Sequence, residues 1–154
     1  MMQLSLDFDA EPRGLPTPGR CSRSQEMPKN IPAARRRRGA KAFQSGLLAE
    51  DNVARHYQER GYTLLQSRWR GRAGEVDLIL RKDALYVFVE VKAAAEFALA
   101  AARIDRRQMD RICLAACEFC ERLPTGQMTE MRMDAALVDR FGRIEIVENA
   151  FGWH

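Results

Sequence analysis

The segment Gly74–Lys92 decides the fold, and it reads GEVDLILRKDALYVFVEVK. Apolar residues recur at every second position in both of its halves: Val76, Leu78 and Leu80, then Val87, Val89 and Val91. A period of two is typical of β-strands, because successive side chains point to opposite faces of the sheet. Lys82 and Asp83 lie between the two halves, so the segment predicts two antiparallel strands joined by a tight hairpin turn.

Charged residues on these two strands indicate a site. If Arg81 pairs with Ala84, Asp77 and Glu90 become diagonal neighbours with backbones roughly 7–8 Å apart. Parity then places four charged residues on one face: Glu75, Asp77, Glu90 and Lys92. Charges inside apolar strands are costly unless they are paired or bind an ion. The pattern predicts a divalent-metal site, and the alternative is an edge hairpin whose charged face is simply wet.

The excess positive charge lies in the N-terminal part of the chain. The 154 residues have a net charge of +4; residues 1–38 carry eight basic and four acidic side chains, and residues 39–154 carry 17 of each. Five of the six prolines also lie in residues 1–37, which is typical of disorder. We expect a disordered basic tail over 1–37 and one domain over 38–154. The run Arg35–Arg38 would be a phosphate-gripping arm or a solubilising tail.

Compartment and membrane association follow from composition. No apolar run is long enough to span a membrane, and the N-terminus lacks the order of charges of a secretion signal. Three of the four cysteines fall within eight residues, at helical spacing that is typical of a packed apolar face. We expect a soluble cytoplasmic protein with reduced thiols and no membrane partner.

Helical spacing of apolar residues predicts two helices, over 39–60 and 104–123. Further strands are predicted over 62–69, 131–138 and 143–147. The order αβββαββ predicts an α/β fold with a mixed β-sheet and flanking helices. Glu50 lies on the first helix, close to the apolar stripe. It would be a third acid for the metal, or an ordinary surface residue.

Arginines flank the predicted site in two places. Arg68-Trp69-Arg70-Gly71-Arg72 alternates cations with an aromatic ring, as a surface for phosphates and bases would, although a strand with one buried Trp has the same pattern. Arginines also crowd the start of the second helix, where they oppose the helix dipole and would suit an anion. Six residues are candidate nucleic-acid contacts: Arg68, Arg70, Arg72, Arg106, Arg107 and Gln108.

With these segments laid out, the chain resembles the YraN family of bacterial proteins, which are similar to endonucleases of the PD-(D/E)xK, or restriction-endonuclease-like, superfamily. The resemblance covers about residues 40–152. It rests on several blocks in the right order: Gly46–Glu50, Arg68–Arg70, Gly74–Ile79, Phe88–Lys92, Arg132–Asp134 and Asn149–Phe151.

The resemblance implies a restriction-endonuclease-like fold and a metal-dependent mechanism. Asp77 and Glu90, with the carbonyl of Val91, would bind Mg²⁺ or Mn²⁺, both of which accept oxygen ligands. Lys92 would position or activate the attacking water and offset charge on the scissile phosphate. Glu50 would be an accessory acid that binds the metal or its water.

The sequence departs from the family pattern in two places. Lys92 is usually followed within two residues by an arginine, but here Ala93–Ala95 follow. A lysine usual near the start of the second helix is represented by Arg107 next to Gln108. These departures weaken the expected contacts to substrate, whereas the metal-binding residues are retained.

We expect a metal-dependent nuclease that hydrolyses phosphodiester bonds in DNA, with branched or processed DNA as a candidate substrate. Cleavage of junctions would suit a symmetric homodimer. The alternative is a non-catalytic nucleic-acid-binding or adaptor domain that keeps the fold and uses its arginines.

Overall fold

The computed structural model describes residues 33–151, and it confirms the predicted α/β class. A five-stranded mixed sheet has helices on both faces. The elements are α1 (Ala33–Gln58), β1 (Thr63–Arg70), β2 (Glu75–Lys82), β3 (Leu85–Ala93), α2 (Phe97–Ala102), α3 (Arg106–Cys120), β4 (Met131–Val138) and β5 (Ile144–Val147), with a 3₁₀ turn at Gly126–Met128. No helix within this described range is long and apolar enough to cross a membrane.

The strands follow one another in space as they do in sequence, β1-β2-β3-β4-β5. Three neighbouring pairs are antiparallel, and β3 and β4 are parallel. A parallel pair needs a long crossover, and α2 and α3 supply it. Each face of the sheet is therefore covered by different helices.

Two apolar cores lie on opposite faces of the sheet. On one face, α1 contributes Val53 and Tyr57, which pack with Leu78, Leu80 and Val89. On the other face, α3 contributes Ile112, Ala115, Ala116 and the thiols of Cys113 and Cys120, which pack with Ile79 and Phe88. The predicted packing of these cysteines on an apolar face is confirmed for both buried thiols.

The hairpin exists, but its predicted register is wrong by one residue on each strand. Lys82 pairs with Leu85, so Asp83 and Ala84 form the turn, and Arg81 pairs with Tyr86 rather than with Ala84. Asp83 has a φ of 53°, which Asp tolerates better than most residues. The shift preserves parity along the paired residues, but the pairing ends at Leu78 and Val89, so Asp77 and Glu90 are not the diagonal neighbours that the prediction made them.

The alternation of β2 also breaks at Asp77. Val76 belongs to the core under α3, whereas Leu78 belongs to the core under α1, although a regular strand would place both on one face. The β2–β3 pairing ends at Leu78 and Val89, while β2 stays paired with β1 as far as Glu75. The two central strands therefore separate at Asp77, and a gap opens at this end of the sheet.

Two element boundaries differ from the prediction. The first helix begins at Ala33 instead of residue 39, so residues 33–37, assigned to the tail, are helical. Alanine and arginine are strong helix formers, which explains the extension. The rest of the predicted tail, residues 1–32, lies outside the described residues, and the division into tail and domain stays a prediction. The alanine-rich segment after β3 contains the short helix α2.

A buried acid ties the two ends of the domain together. Asp134 of β4 is fully buried, and it accepts hydrogen bonds from the Tyr57 hydroxyl (2.7 Å), from Arg132 (2.8 and 2.9 Å) and from the Asn149 backbone N–H (3.0 Å). Burial and the neighbouring carboxylate raise the pKa of Tyr57, which keeps its hydroxyl a donor. This network fixes α1 against the middle of the sheet.

Asp134→Ala removes the partner of a cation that is itself mostly buried, so the free energy of unfolding should fall by roughly 3–5 kcal/mol. Tyr57→Phe removes one hydrogen bond and should cost about 1–2 kcal/mol. Urea unfolding followed by circular dichroism measures both. Glu145→Gln, on an exposed position of β5, is the control and should change stability by less than about 0.5 kcal/mol. An Asp134→Ala effect as small as that of the control would contradict this role.

Candidate active site

Asp77 lies where β2 and β3 separate, and its carboxylate takes the place of a backbone partner. Its Oδ2 accepts a hydrogen bond of 2.8 Å from the Val91 N–H. The bond crosses the gap and orients the carboxylate toward β3. The hydrogen bond from Val91 thus holds Asp77 in place at the point where β2 and β3 separate.

Glu90 is the other carboxylate of the site, and it is 4% exposed. Its Oε1 accepts hydrogen bonds from the Lys92 ammonium and from Gln108 Nε2, the latter at 2.7 Å. Lys92 comes from the same strand, two residues on, and Gln108 comes from the first turns of α3. One oxygen of Glu90 is therefore held by two donors from two elements.

The Asp77 and Glu90 carboxylates lie close enough to influence each other's pKa. Burial raises the pKa of Glu90 to about 7, and the neighbouring Asp77 charge adds to the effect. Burial also raises the pKa of Asp77, which the hydrogen bond from Val91 opposes. Two neighbouring carboxylates repel unless a proton or a cation lies between them. The pair therefore has the chemistry of a cation site.

The donor set fits a hard divalent cation. Mg²⁺ and Mn²⁺ take oxygen ligands, and Mg²⁺ is usually held by one or two carboxylates while it keeps several waters. Asp77 and Glu90 supply the two carboxylates. Within residues 33–151, no three His, Cys, Asp or Glu side chains converge in a metal-binding cluster, so any remaining ligands must come from backbone oxygen, water or substrate.

Glu50, the predicted accessory acid, lies near this pair without joining it. It projects from α1, and burial first, then the Asp77 charge, raise its pKa. Arg68 acts in the opposite direction. Glu50 is close enough to interact electrostatically with Asp77, and the structure brings it to the site from the face opposite to Gln108.

Glu75 is held by arginine rather than by the site. Its Oε1 accepts from Arg68 Nε (3.2 Å), and its Oε2 accepts from Arg70 at 2.6 and 3.2 Å. The hydrogen bond from Arg70 leads the effects that lower its pKa. Arg68 has a φ of 51°, which aims its side chain at Glu75 beside the break in β2. Both arginines were candidate nucleic-acid contacts, and here they form a cluster with Glu75.

The turn between β1 and β2 is held to α3 by Glu118, which the sequence reasoning did not single out. Glu118 accepts from the backbone N–H of Arg72 (2.7 Å) and interacts with the Arg72 side chain at 3.4 Å. A Cβ at Gly71 would lie 2.5 Å from Glu118 Oε2, so a larger residue there would displace the Glu118 carboxylate from the turn. The Arg72 side chain stays 88% exposed while it pairs with Glu118.

The three residues at the start of α3 that were predicted as nucleic-acid contacts point to different surroundings. Arg106 and Arg107 are exposed, and Asp105 caps the helix by accepting from the Arg107 N–H at 3.3 Å. Gln108 instead turns inward to Glu90. The signal was present in the sequence, since Gln108 occupies a position of the apolar stripe, where a polar side chain needs a buried partner.

The chain after Lys92 is fixed by a more distant arginine. Arg103 donates to the Ala93 carbonyl at 2.5 Å, and the Ala94 N–H donates to Val138. Sequence reasoning missed Arg103, because neither its spacing nor its neighbours link it to β3. A cation therefore lies beside the alanines that replace the expected arginine.

Comparison with known proteins agrees with the predicted resemblance. The family described as "Uncharacterised protein family UPF0102" matches residues 49–146. A UPF0102 protein of Ruegeria pomeroyi is 54% identical over 115 residues, which cover 75% of this chain and 94% of that protein. One from Cereibacter sphaeroides is 51% identical over 113 residues, with 73% and 97% covered. One from Dinoroseobacter shibae is 45% identical over 116 residues, with 75% and 87% covered.

Glu90 should make stability depend on pH when chelator is present. Its folded pKa of about 7 lies above the unfolded value near 4.5, so ionising it costs folding free energy that appears as pH rises through this window. Between pH 5 and pH 8, the wild type should lose roughly 1–3 kcal/mol relative to Glu90→Gln. Urea unfolding of both proteins across this range measures the difference. If the stability of the two proteins changed with pH in parallel, the Glu90 pKa would not be raised in the folded state.

Proposed function

The chain belongs to the UPF0102 family, the YraN family, and from that premise we propose that it is a metal-dependent nuclease that hydrolyses phosphodiester bonds in DNA. The observation that carries the proposal is the proximity of two carboxylates, the buried Glu90 and the half-buried Asp77, which raises the pKa of Glu90, together with the Lys92 ammonium bound to Glu90. A structural role alone does not explain why two acids share one poorly solvated position.

Asp77, Glu90 and the Val91 carbonyl would hold Mg²⁺ or Mn²⁺. Such an ion polarises a phosphate oxygen and makes a bound water more acidic. The protein prepares for it by aligning Asp77 through the Val91 N–H and by holding one oxygen of Glu90 through Lys92 and Gln108. Fixed second contacts of this kind orient metal ligands.

Lys92 supplies the positive charge that phosphodiester hydrolysis needs near the reacting atoms. Its side chain is 17% exposed, so it reaches the mouth of the site while its ammonium contacts Glu90. An ammonium in a poorly solvated site offsets negative charge that builds on a phosphate more effectively than one in water. In this proposal Lys92 positions or activates the attacking water, and Glu50 acts from the α1 side as an accessory acid.

The choice of DNA as the substrate rests on charge around the site. Arg70, Arg72, Arg106 and Arg107 are exposed near the two elements that hold Asp77 and Gln108. Phosphate contacts of this kind provide affinity without sequence preference. Branched DNA and a symmetric dimer are compatible extensions of the proposal.

A non-catalytic nucleic-acid-binding domain is the second candidate. The observation in its favour is that Lys92 and Gln108 already satisfy Glu90, while Arg68 and Arg70 are taken up by Glu75. Such a domain would bind DNA in a salt-sensitive way that chelator does not change, and it would have no measurable affinity for Mn²⁺.

A cleavage assay on linear, single-stranded and branched DNA with Mn²⁺ tests the proposal. Asp77→Asn and Glu90→Gln should each abolish cleavage, because each removes a charged ligand. Lys92→Met should lower the rate by roughly 10²–10³-fold. Gln108→Met removes only the donor that orients Glu90 and should lower it by roughly 10–100-fold.

Asp83→Asn is the matched control, since it makes the same chemical change at the far turn of the same hairpin and Asn also tolerates a positive φ. It should cleave like the wild type. Calorimetric titration with Mn²⁺ on the same proteins separates metal binding from catalysis. Equal cleavage by the wild type and the Asp77→Asn/Glu90→Gln double variant would refute the proposed site.

A further inference from the structure

We propose that the N-terminal half of α1 is a basic arm that holds the backbone of duplex DNA beside the candidate active site. The arm is defined as Arg35, Arg36, Arg37, Arg38 and Lys41. The inference rests on the proposed function in that it takes DNA as the partner. The matched family region begins at residue 49, so the arm lies outside it.

The five cations of the arm are exposed, and within residues 33–151 none forms an ion pair or hydrogen bond with an acid. The first turn of α1 contains no acidic residue. Cations at a helix N-terminus oppose the helix dipole and repel one another. A partner that carries a row of negative charges would offset both effects.

The direction of α1 places the arm at the end of the sheet where the site lies. Ala49 lines a cleft together with Ala93–Ala95, which directly follow Lys92. Eight residues later, Tyr57 bonds Asp134, which pairs with Val89. The helix thus runs antiparallel to β3, and its N-terminal half extends past the end of β3 that carries Lys92.

N-terminal to Ala49, the helix packs little on the rest of the domain. Ala49 is the first buried residue described in α1, and every described side chain from Ala33 to Ser45 is exposed. The helix therefore projects with little protein to pack on. Its base is a cleft of about 600 Å³ between α1 and the ends of β3 and β4, which Lys41 lines together with Asp139 and Arg140.

The spacing along the helix matches a DNA backbone that also reaches the site. Lys41 and Arg35 precede Glu50 by 9 and 15 residues, or roughly 14–22 Å at 1.5 Å per residue. At about 3.4 Å per base pair on one strand, this corresponds to roughly four to seven base pairs. The arm would contact phosphates at that distance from the bond positioned at Asp77 and Glu90.

The chemistry of the arm favours nucleic acid over a membrane. Between Ala33 and Ala42 the residues other than the cations are alanine and one glycine, whereas a helix that lies in a membrane surface needs a large apolar face. Four successive arginines point in four directions around the helix, and each planar guanidinium can bind a phosphate with two hydrogen bonds.

The test measures binding of the full chain to a 30-base-pair duplex in chelator, by fluorescence anisotropy at several salt concentrations. Replacing all five arm residues by alanine should weaken binding at least about tenfold and reduce the slope of log K against log salt by roughly four, since each lost phosphate contact removes about 0.9. Replacing the four arginines by lysine preserves the charge and should keep the slope within about one.

A pair of double variants provides the matched control. Arg36→Ala/Arg37→Ala removes two charges from the arm, and Arg55→Ala/Arg60→Ala removes two exposed charges from the other end of the same helix region. The first should reduce the slope by about two and the second by less than about one. Circular dichroism checks that α1 is retained, as expected because alanine favours helix.

The salt dependence distinguishes failure of this inference from failure of the proposed nuclease. If cleavage is absent but the five-residue variant loses affinity and slope as stated, the arm stands as a DNA-binding element. If that variant binds the duplex with unchanged affinity and slope, the inference is wrong whatever the cleavage assay shows. Binding to anionic vesicles in place of DNA would also overturn it.

Discussion

The hydrogen bond from the Val91 N–H to Asp77 Oδ2 is the contact on which the arrangement of the site depends. At Asp77 the pairing of β2 with β3 ends, and the side chain takes over the role of the lost backbone partner. This hydrogen bond links the two strands where their backbone pairing has ended, and it orients the Asp77 carboxylate toward β3. Without it, Asp77 would be one more charged residue at the end of a strand.

The domain holds its buried acids in two different ways. Asp134 accepts four hydrogen bonds, two of them from an arginine, and its charge is fully compensated. Glu90 instead shares its position with Asp77, and its pKa rises to about 7. The difference separates an acid that supports the fold from an acid whose pKa is raised by its surroundings, as is common at functional sites.

Much of this could be read from the sequence because it depends on local patterns. The alternation in Gly74–Lys92 gave the strands, and parity kept Asp77, Glu90 and Lys92 together even though the register was wrong, since shifting each strand by one residue leaves paired faces unchanged. The break at Asp77 could not be predicted, because it lies beside an irregular position on another strand, Arg68 with its positive φ, which no pattern within β2 indicates. The roles of Gln108 and Glu118 depend on how α3 docks, which no local pattern encodes.

Anomalous diffraction from crystals grown with Mn²⁺ tests whether Asp77 and Glu90 form one divalent-cation site. We expect a single strong manganese peak within about 2.0–2.4 Å of oxygens from both carboxylates and of the Val91 carbonyl. The peak should disappear in Asp77→Asn/Glu90→Gln crystals and persist in Asp83→Asn crystals. A site without manganese at saturating concentration, with the two carboxylates still close together, would contradict this expectation.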